Sequence, residues 1–393
     1  MGTGARTVVG SGVAATPDPT TVLCGILRGE SAALPAGEAG ERLLELARAH
    51  GVEWLVAWRT GRLDDEARGE AVLDELRVRE LNRVLAALEA QGLVPLVFKG
   101  AALAHSHYPA SWLRPRVDAD ILVPPPARGA AAASLRSLGY EARAVISGTL
   151  VSSQACFARI DDRGLQHVVD LHWRVADPLV VADVLTHEEL TARAGAIDVR
   201  GCPVRIPAPR DALLLACVHR AAHHDDDESL LWLYDIHLLA AGLGRQDWLA
   251  FADEAVSRGV AALCARGLSL AATRFGTGLP EGTLQRLSAR PALETSARYL
   301  EKGRRPAGHL VADIGSLNPR DGARLMWEHL FPPAAYMRAK YGARGRTLLP
   351  ALYLRRLFTG VPRWLALTPR RSGTSRIRTA ARSSTGCGAR PRG

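Results

Sequence analysis

Asp118 and Asp120 lie two residues apart in the aliphatic run Val117-Asp118-Ala119-Asp120-Ile121-Leu122-Val123. Strand side chains alternate faces, so the two carboxylates share one face while Val117, Ala119, Ile121 and Val123 take the opposite, buried one. Like charges held side by side repel, and such a pair calls for a cation or hydrogen-bond donors between its members. Mg2+ suits it, because the ion takes oxygen ligands and is commonly shared by one or two carboxylates and substrate phosphates. Taken alone, the same D-x-D spacing also suits the solvated face of an edge strand, so its surroundings decide.

Upstream, the β-branched run Val94 to Phe98 breaks at Lys99-Gly100 into an alanine-rich helical pattern, which reads as strand, turn and helix. A loop containing Pro109, Arg114, Pro115 and Arg116 leads into the Asp-bearing strand, and Pro124-Pro125-Pro126 stops it. Downstream, Val168-Val169-Asp170-Leu171-His172-Trp173 puts Asp170 and His172 on one face and Val169, Leu171 and Trp173 on the other. A carboxylate inside an apolar strand needs a partner, since an unpaired buried charge is costly. Asp170 is therefore a third candidate acid.

This order of elements resembles the nucleotidyltransferase superfamily that includes DNA polymerase β. More closely, Lys99, Gly100, Leu103, Arg114, Asp118, Asp120, Leu122 and Val123 are similar to the K-G-x-x-L and R-x-x-x-D-x-D-x-L-V patterns of a bacterial family of mostly uncharacterised nucleotidyltransferases. The superfamily turn carries Gly followed by Gly or Ser, where this chain has Gly100-Ala101, and the gap to the first Asp is longer here. The resemblance runs from Leu23 to Leu367 and is specific at Lys99 to Val123 and at Asp170 to Trp173.

The resemblance implies an α+β fold: a small, mixed, polymerase β-like sheet with helices, flanked by N-terminal and C-terminal helical regions. It implies a Mg2+-dependent enzyme that moves a nucleoside monophosphate from a nucleoside triphosphate such as ATP to a hydroxyl acceptor, with pyrophosphate leaving. Asp118 and Asp120 would hold one Mg2+ on the phosphates, and Asp170, with a second, would activate the acceptor hydroxyl. Lys99, Gly100, Arg114, Arg116 and His172 fall on the nucleotide side. Lys99, Arg114 or Arg116 would neutralise phosphate charge; an Arg before an acidic pair also suits a structural counter-ion. For His172 a hydrogen bond to a carboxylate is favoured over direct ligation, and Trp173 reads as core. The acceptor is open among a small molecule, a peptide, a protein and a tRNA end. Occurrence of the resembled family in natural-product biosynthesis clusters points to the first two by analogy. Nucleic acid is not favoured as a partner.

A second cluster, Asp211 to Leu239, carries His219 and His223 four apart on one helix face, then His224-Asp225. The Glu of H-E-x-x-H is missing, which removes the metalloprotease pattern. His224-Asp225 keeps an HD-type phosphohydrolase as a rival reading. A non-catalytic nucleotide-binding or regulatory protein on the same fold is another, and Gly100-Ala101 is its best support. Trp232, Leu233, Asp235 and Ile236 match a W-L-x-D-I-like stretch of the resembled family, and are expected to line the cleft or tie the helical domain to the sheet.

The 393 residues, 47% hydrophobic and 23% charged, suit a soluble globular protein of two or three domains. No apolar run approaches the roughly 18 to 20 residues of a membrane span, and the N-terminus lacks the apolar core of a secretory signal, so a cytoplasmic address with no membrane partner is expected. Six scattered cysteines, without metal-like spacing, read as reduced thiols. From His329 to Gly393 there are 14 Lys and Arg and no acidic residue, whereas residues 1–328 carry 36 cationic and 40 anionic side chains. The expected division is a flexible lead-in at 1–22, helices at 23–92, the catalytic core at 93–207, a helical domain at 208–367 and a disordered basic tail at 368–393. Within it, a helical stripe of Leu73, Leu76, Leu81, Val84, Leu85 and Leu88 should end at Gly92, strands should follow at Glu141 to Ile146, Ala155 to Ile160 and Gln166 to Trp173, and Trp248, Phe251, Val256, Leu263, Leu268 and Phe275 should be core.

Overall fold

The computed structural model describes residues 18–31, 33–143, 148–289, 294–301, 306–341 and 348–365. Helices α1 (Pro19–Arg28), α2 (Glu38–Ala49), α3 (Glu53–Arg59) and α4 (Asp65–Glu89) come first. The Asp18 carboxylate accepts the Thr21 N–H at 3.1 Å and that of Asp64 accepts the Ala67 N–H at 2.9 Å, so α1 and α4 start on side-chain caps. Helix α1 thus begins inside the stretch read as a lead-in. Gly92, at φ +71, closes the turn after α4, and the Leu93 N–H reaches back to the Leu88 carbonyl at 3.2 Å.

Strand β1 (Leu96–Phe98) runs directly into α5 (Lys99–Ser106), and a loop returns the chain to β2 (Ala119–Leu122). Helix α6 (Arg128–Ser137) precedes β3 (Glu141–Ala142), β4 (Gln154–Ile160) and β5 (Gln166–His172). Residues 144–146 of the expected third strand lie outside the described residues. The sheet order is β1-β2-β5-β4-β3, with β2 and β5 parallel and the other pairs antiparallel. The mixed sheet agrees with the expected α+β fold. After α7 (Leu179–Ala182) and α8 (His187–Arg193), a two-stranded sheet of β6 (Gly195–Val199) and β7 (Cys202–Ile206) forms, which the sequence reading did not anticipate. Helices α9 (Pro209–His223), α10 (Leu230–Ala241), α11 (Arg245–Ser257), α12 (Ala261–Phe275) and α13 (Thr283–Leu287) pack together. They are followed by α14 (Pro306–Gly315), α15 (Pro319–Leu330), α16 (Ala334–Tyr341) and α17 (Leu349–Leu365). The expected basic tail lies outside the described residues.

The sheet is buried on both faces where it carries the candidate acids. Val97, Ile121, Val123, Val169 and Leu171 pack with Val84, Leu88, Ala131 and Leu135 of α4 and α6. Leu96, Phe98 and Leu122, of opposite parity, join the core built by α1 to α3 and α9 to α12. Each such aliphatic side chain contributes about 1.5–3 kcal/mol by leaving water. Because Asp120 has the parity of Leu122, its side chain points to the helical domain. Val117 departs from expectation at 58% exposed: the ladder begins at Ala119, so Val117, two residues earlier, has no pairing partner to hold it inward. Val256, at 49% exposed, is likewise surface rather than core. On α4, Leu81, Val84, Leu85 and Leu88 are buried as expected, but Asp74 and Glu80 are buried too, each drawn inward by arginines from the sheet side.

Candidate active site

Lys99 is the first residue of α5 and adopts φ +51, a left-handed conformation that a side chain with a Cβ enters rarely. Such strain persists where the surroundings impose it, and it collects at functional sites. Here it turns the Lys99 ammonium back over the sheet, 4.8 Å from the Phe98 ring centre and 3.0 Å from Asp120 Oδ1. Gly100 follows, and a Cβ there would stand 2.5 Å from Arg114 Nη1, so a larger residue would have to displace the guanidinium. Ala101 is buried against the α4 side of the sheet, so the departure from the usual Gly or Ser is absorbed by packing.

Asp120 and Asp170 face each other in register across the parallel β2–β5 pair. Asp120 Oδ1 accepts from Lys99 and, at 2.8 Å, from His172 Nε2, as expected for His172. An ionised carboxylate only accepts, so Nε2 carries the proton and His172 Nδ1 is left as a buried lone pair without a partner. Burial alone would raise the Asp120 pKa, yet the Lys99 charge and the His172 hydrogen bond outweigh it and hold the carboxyl well below its usual range. Burial, and then the Lys99 charge, hold the imidazole of His172 below its usual value, in its neutral form.

Asp170 Oδ2 accepts from Gln154 Nε2 at 3.2 Å, while Oδ1 is buried with no hydrogen-bond partner. Cys156 stands opposite Asp170 on β4, and burial together with the Asp170 charge pushes its thiol up to about 12, so the sulfur stays protonated. Asp118 just precedes β2. Burial first, then the charges of Asp120 and Asp170, push its carboxyl up to about 7. One donor atom each from Asp120, Asp170 and His172 lies within 4.8 Å of the others, the one such group of three among the described residues. A hard divalent cation fits this set: two carboxylates, an orphaned buried oxygen and a shortage of positive charge.

The two arginines read as phosphate ligands are tied elsewhere. Arg114, 4% exposed, donates from Nε and Nη2 to Asp235 of α10 at 2.9 and 2.7 Å, and the Tyr108 hydroxyl donates to the same carboxylate at 2.7 Å. Arg116 reaches Asp74 of α4 at 2.5 Å and the Ser111 carbonyl at 3.0 Å. Asp235 therefore ties the helical domain to the sheet, one of the two roles expected for its stretch. Among the described residues Lys99 is thus the cation in contact with the acids, through Asp120.

Across from Lys99 the helical domain presents His219, His223, His224 and Trp232. His219 and His224 approach at 3.1 Å between Nε2 atoms, His224 stacks on Trp232 at 4.5 Å, and His223 Nε2 accepts the Asp177 N–H at 3.3 Å. Burial first, and then the Lys99 charge, hold His219 far below its usual value and His223 down at about 3, so both are neutral. The residues an HD-type site would use do not converge: His219, His223, His224 and Asp225 form no three-ligand group among the described residues, and the neighbouring Asp226 pairs with Arg220 at 2.5 Å and with Arg266 at 3.1 Å.

Sequence reasoning missed Gln154, Cys156, Asp74 and Tyr108. None carries a motif. Only Gln154 and Cys156 left a trace, as polar residues of one parity in a strand whose other parity holds Phe157.

No curated protein matches this chain. Among solved structures it is similar to the antibiotic-resistance factor ANT(2'')-Ia, with 18% identity over 47% of this chain and 94% of that one, at a TM-score of 0.35. It is also similar to an antigenic nucleotidyltransferase-like protein from Paracoccidioides brasiliensis, with 14% identity over 53% of this chain and 95% of that one, at a TM-score of 0.36. At that level of similarity neither bears on the substrate of this chain. A family model described as "uncharacterised nucleotidyltransferase" matches residues 38–276, a stretch that contains the turn, the acids and the histidine wall. With the greater part of its length inside that match, the chain belongs to the family of uncharacterised nucleotidyltransferases.

Proposed function

We propose that this protein transfers a nucleoside monophosphate from a nucleoside triphosphate to a hydroxyl of a small-molecule or peptide acceptor. The observation that carries the reading is the convergence of Asp120, Asp170 and His172, with Asp170 Oδ1 buried and unpartnered. Among the described residues the cation in contact with these acids is Lys99, paired with Asp120, since Arg114 and Arg116 are spent on Asp235 and Asp74. That imbalance favours a bound divalent cation, with Mg2+ the preferred ion and Asp118 the carboxylate left to hold a second. When bound, it would offset phosphate charge and acidify the acceptor hydroxyl.

The protein's own part follows from position. The Lys99 ammonium and the Gly100 backbone, at the start of α5, receive the phosphates. Arg114 and Arg116 contribute by fixing the turn and the loop rather than by touching the nucleotide. His172 keeps the Asp120 carboxylate ionised and aimed. The acceptor oxygen attacks the α-phosphorus in line, the bond to the β-phosphate oxygen breaks, pyrophosphate leaves, and the hydroxyl proton passes to Asp170.

The test is calorimetric titration of each ribonucleoside triphosphate, with and without Mg2+, into the wild type and an Asp118→Asn/Asp120→Asn variant. Binding that requires Mg2+ and disappears in the variant is expected. Nucleotide binding indifferent to both would sink the assignment.

A further inference from the structure

Asp170 offers its two oxygens unequally. Oδ2 is held by the Gln154 amide at 3.2 Å, whereas Oδ1 is buried and unpartnered, and one oxygen of this carboxylate belongs to the group that Asp120 and His172 complete. A carboxylate with one oxygen tied has lost its freedom to rotate, so the other oxygen stays where a cation would need it. Gln154 lies directly opposite His172 on β4, one strand away from the acids and inside the same sheet.

The segment that delivers Gln154 is itself gripped from outside the sheet. Successive N–H groups of Thr149, Leu150 and Val151 all donate to the Glu328 carboxylate of α15, at 3.0, 2.9 and 3.0 Å. The approach is so close that a Cβ at Gly148 would stand 2.2 Å from Glu328 Oε2. The Ser153 N–H then donates to Asp177 Oδ1 at 2.7 Å, and the Asp177 N–H donates to His223 of the histidine wall. Glu328 lies beyond residues 38–276, the stretch shared with the family.

We propose that Gln154 is a positioning residue for Asp170, and that Glu328, by anchoring the 149–151 backbone, sets the reach of Gln154. The C-terminal helices thereby tune the metal-binding competence of a sheet to which they contribute no ligand. This rests on the metal reading of the Asp120, Asp170 and His172 group.

Mn2+ binding, read by the loss of the free-ion electron paramagnetic resonance signal, tests it without knowledge of the acceptor. Full-length wild type, Gln154→Leu and Glu328→Ala are titrated with Mn2+ alone and with Mn2+ plus ATP, and metal-free Tm is recorded for each. Gln154→Leu is expected to weaken Mn2+ binding by about 10- to 100-fold, the usual effect of removing a residue that orients a ligand. Glu328→Ala should weaken it less, and Gln154→Leu should leave the metal-free Tm unchanged. Wild-type binding with an affinity in Gln154→Leu within about threefold of it would overturn the positioning role and leave the metal reading standing. Failure of the wild type itself to bind Mn2+ in either condition would remove both. A Gln154→Leu variant with normal Tm separates a lost ligand orientation from a lost fold, and Gln154→Met supplies a second apolar isostere if the first fails to fold.

Discussion

Two clusters of buried charge sit a few residues apart in this protein and are built in opposite ways. Around Asp235, both carboxylate oxygens are answered: Arg114 supplies two donors and Tyr108 a third. Glu80 is treated likewise, receiving Arg83, Arg159 and the Tyr140 hydroxyl. In the other cluster, among the described residues, the one contacting ammonium, that of Lys99, pairs with Asp120, and an oxygen of Asp170 and a nitrogen of His172 are unanswered. A folded chain that can satisfy buried charge so fully elsewhere has the means to do so here. The shortfall marks the place where stability is given up for binding, whereas the matched clusters hold the parts together.

Removing Asp235 should have the largest effect on stability. Asp235→Ala leaves the Arg114 guanidinium buried without its counter-charge, and chemical denaturation should register a loss of about 3–5 kcal/mol. A loss under about 1 kcal/mol would place this pair with the weak surface bridges instead.

Acid should dissolve the Glu80 cluster next. Burial alone would raise the Glu80 pKa, yet bonds from Arg83, Arg159 and Tyr140 depress it to about 2, below its ordinary value of 4.5. A depressed folded-state pKa gives stability that is present above the unfolded value and is lost as pH falls toward the folded one. The loss should therefore fall between about pH 4.5 and pH 2, amount to at most about 3 kcal/mol, and be missing from a Glu80→Gln variant compared by urea titration at each pH.

Gly100→Ala tests the join between the two clusters, because the new methyl would press on Arg114. A destabilisation of about 1–3 kcal/mol is expected, accompanied by weaker nucleotide binding. An unchanged denaturation midpoint would show that the guanidinium can give way.

Asp118→Asn should have the smallest effect on stability, and the opposite sign. Relieving like-charge repulsion is expected to stabilise the metal-free protein by up to about 1 kcal/mol, while Mg2+ should raise Tm in the wild type more than in the variant. Equal Mg2+ responses would break the contrast between the clusters.

Much of the acidic site was legible in the chain. The D-x-D spacing, the break at Lys99-Gly100 and the acid in the strand Gln166–His172 are local patterns, and the structure places Asp120 and Asp170 in register and Lys99 upon Asp120. The arginines were not legible in the same way. Arg114 and Arg116 look alike in the loop, and only their distant partners, Asp235 and Asp74, show that both are engaged. Val117 was misjudged because alternation was extended two residues beyond the first ladder pair.

The sequence by itself determined the α+β class, the strand–turn–helix bearing Lys99 and the parity that puts Asp120, Asp170 and His172 on common faces, since alternation and turn chemistry are set by near neighbours. Tertiary structure alone decided which charges are answered and which are not. A side chain's charge is written in the chain, but its partner is chosen by packing between elements far apart in sequence, where the cost of burying an unmatched charge selects among arrangements that local patterns leave open.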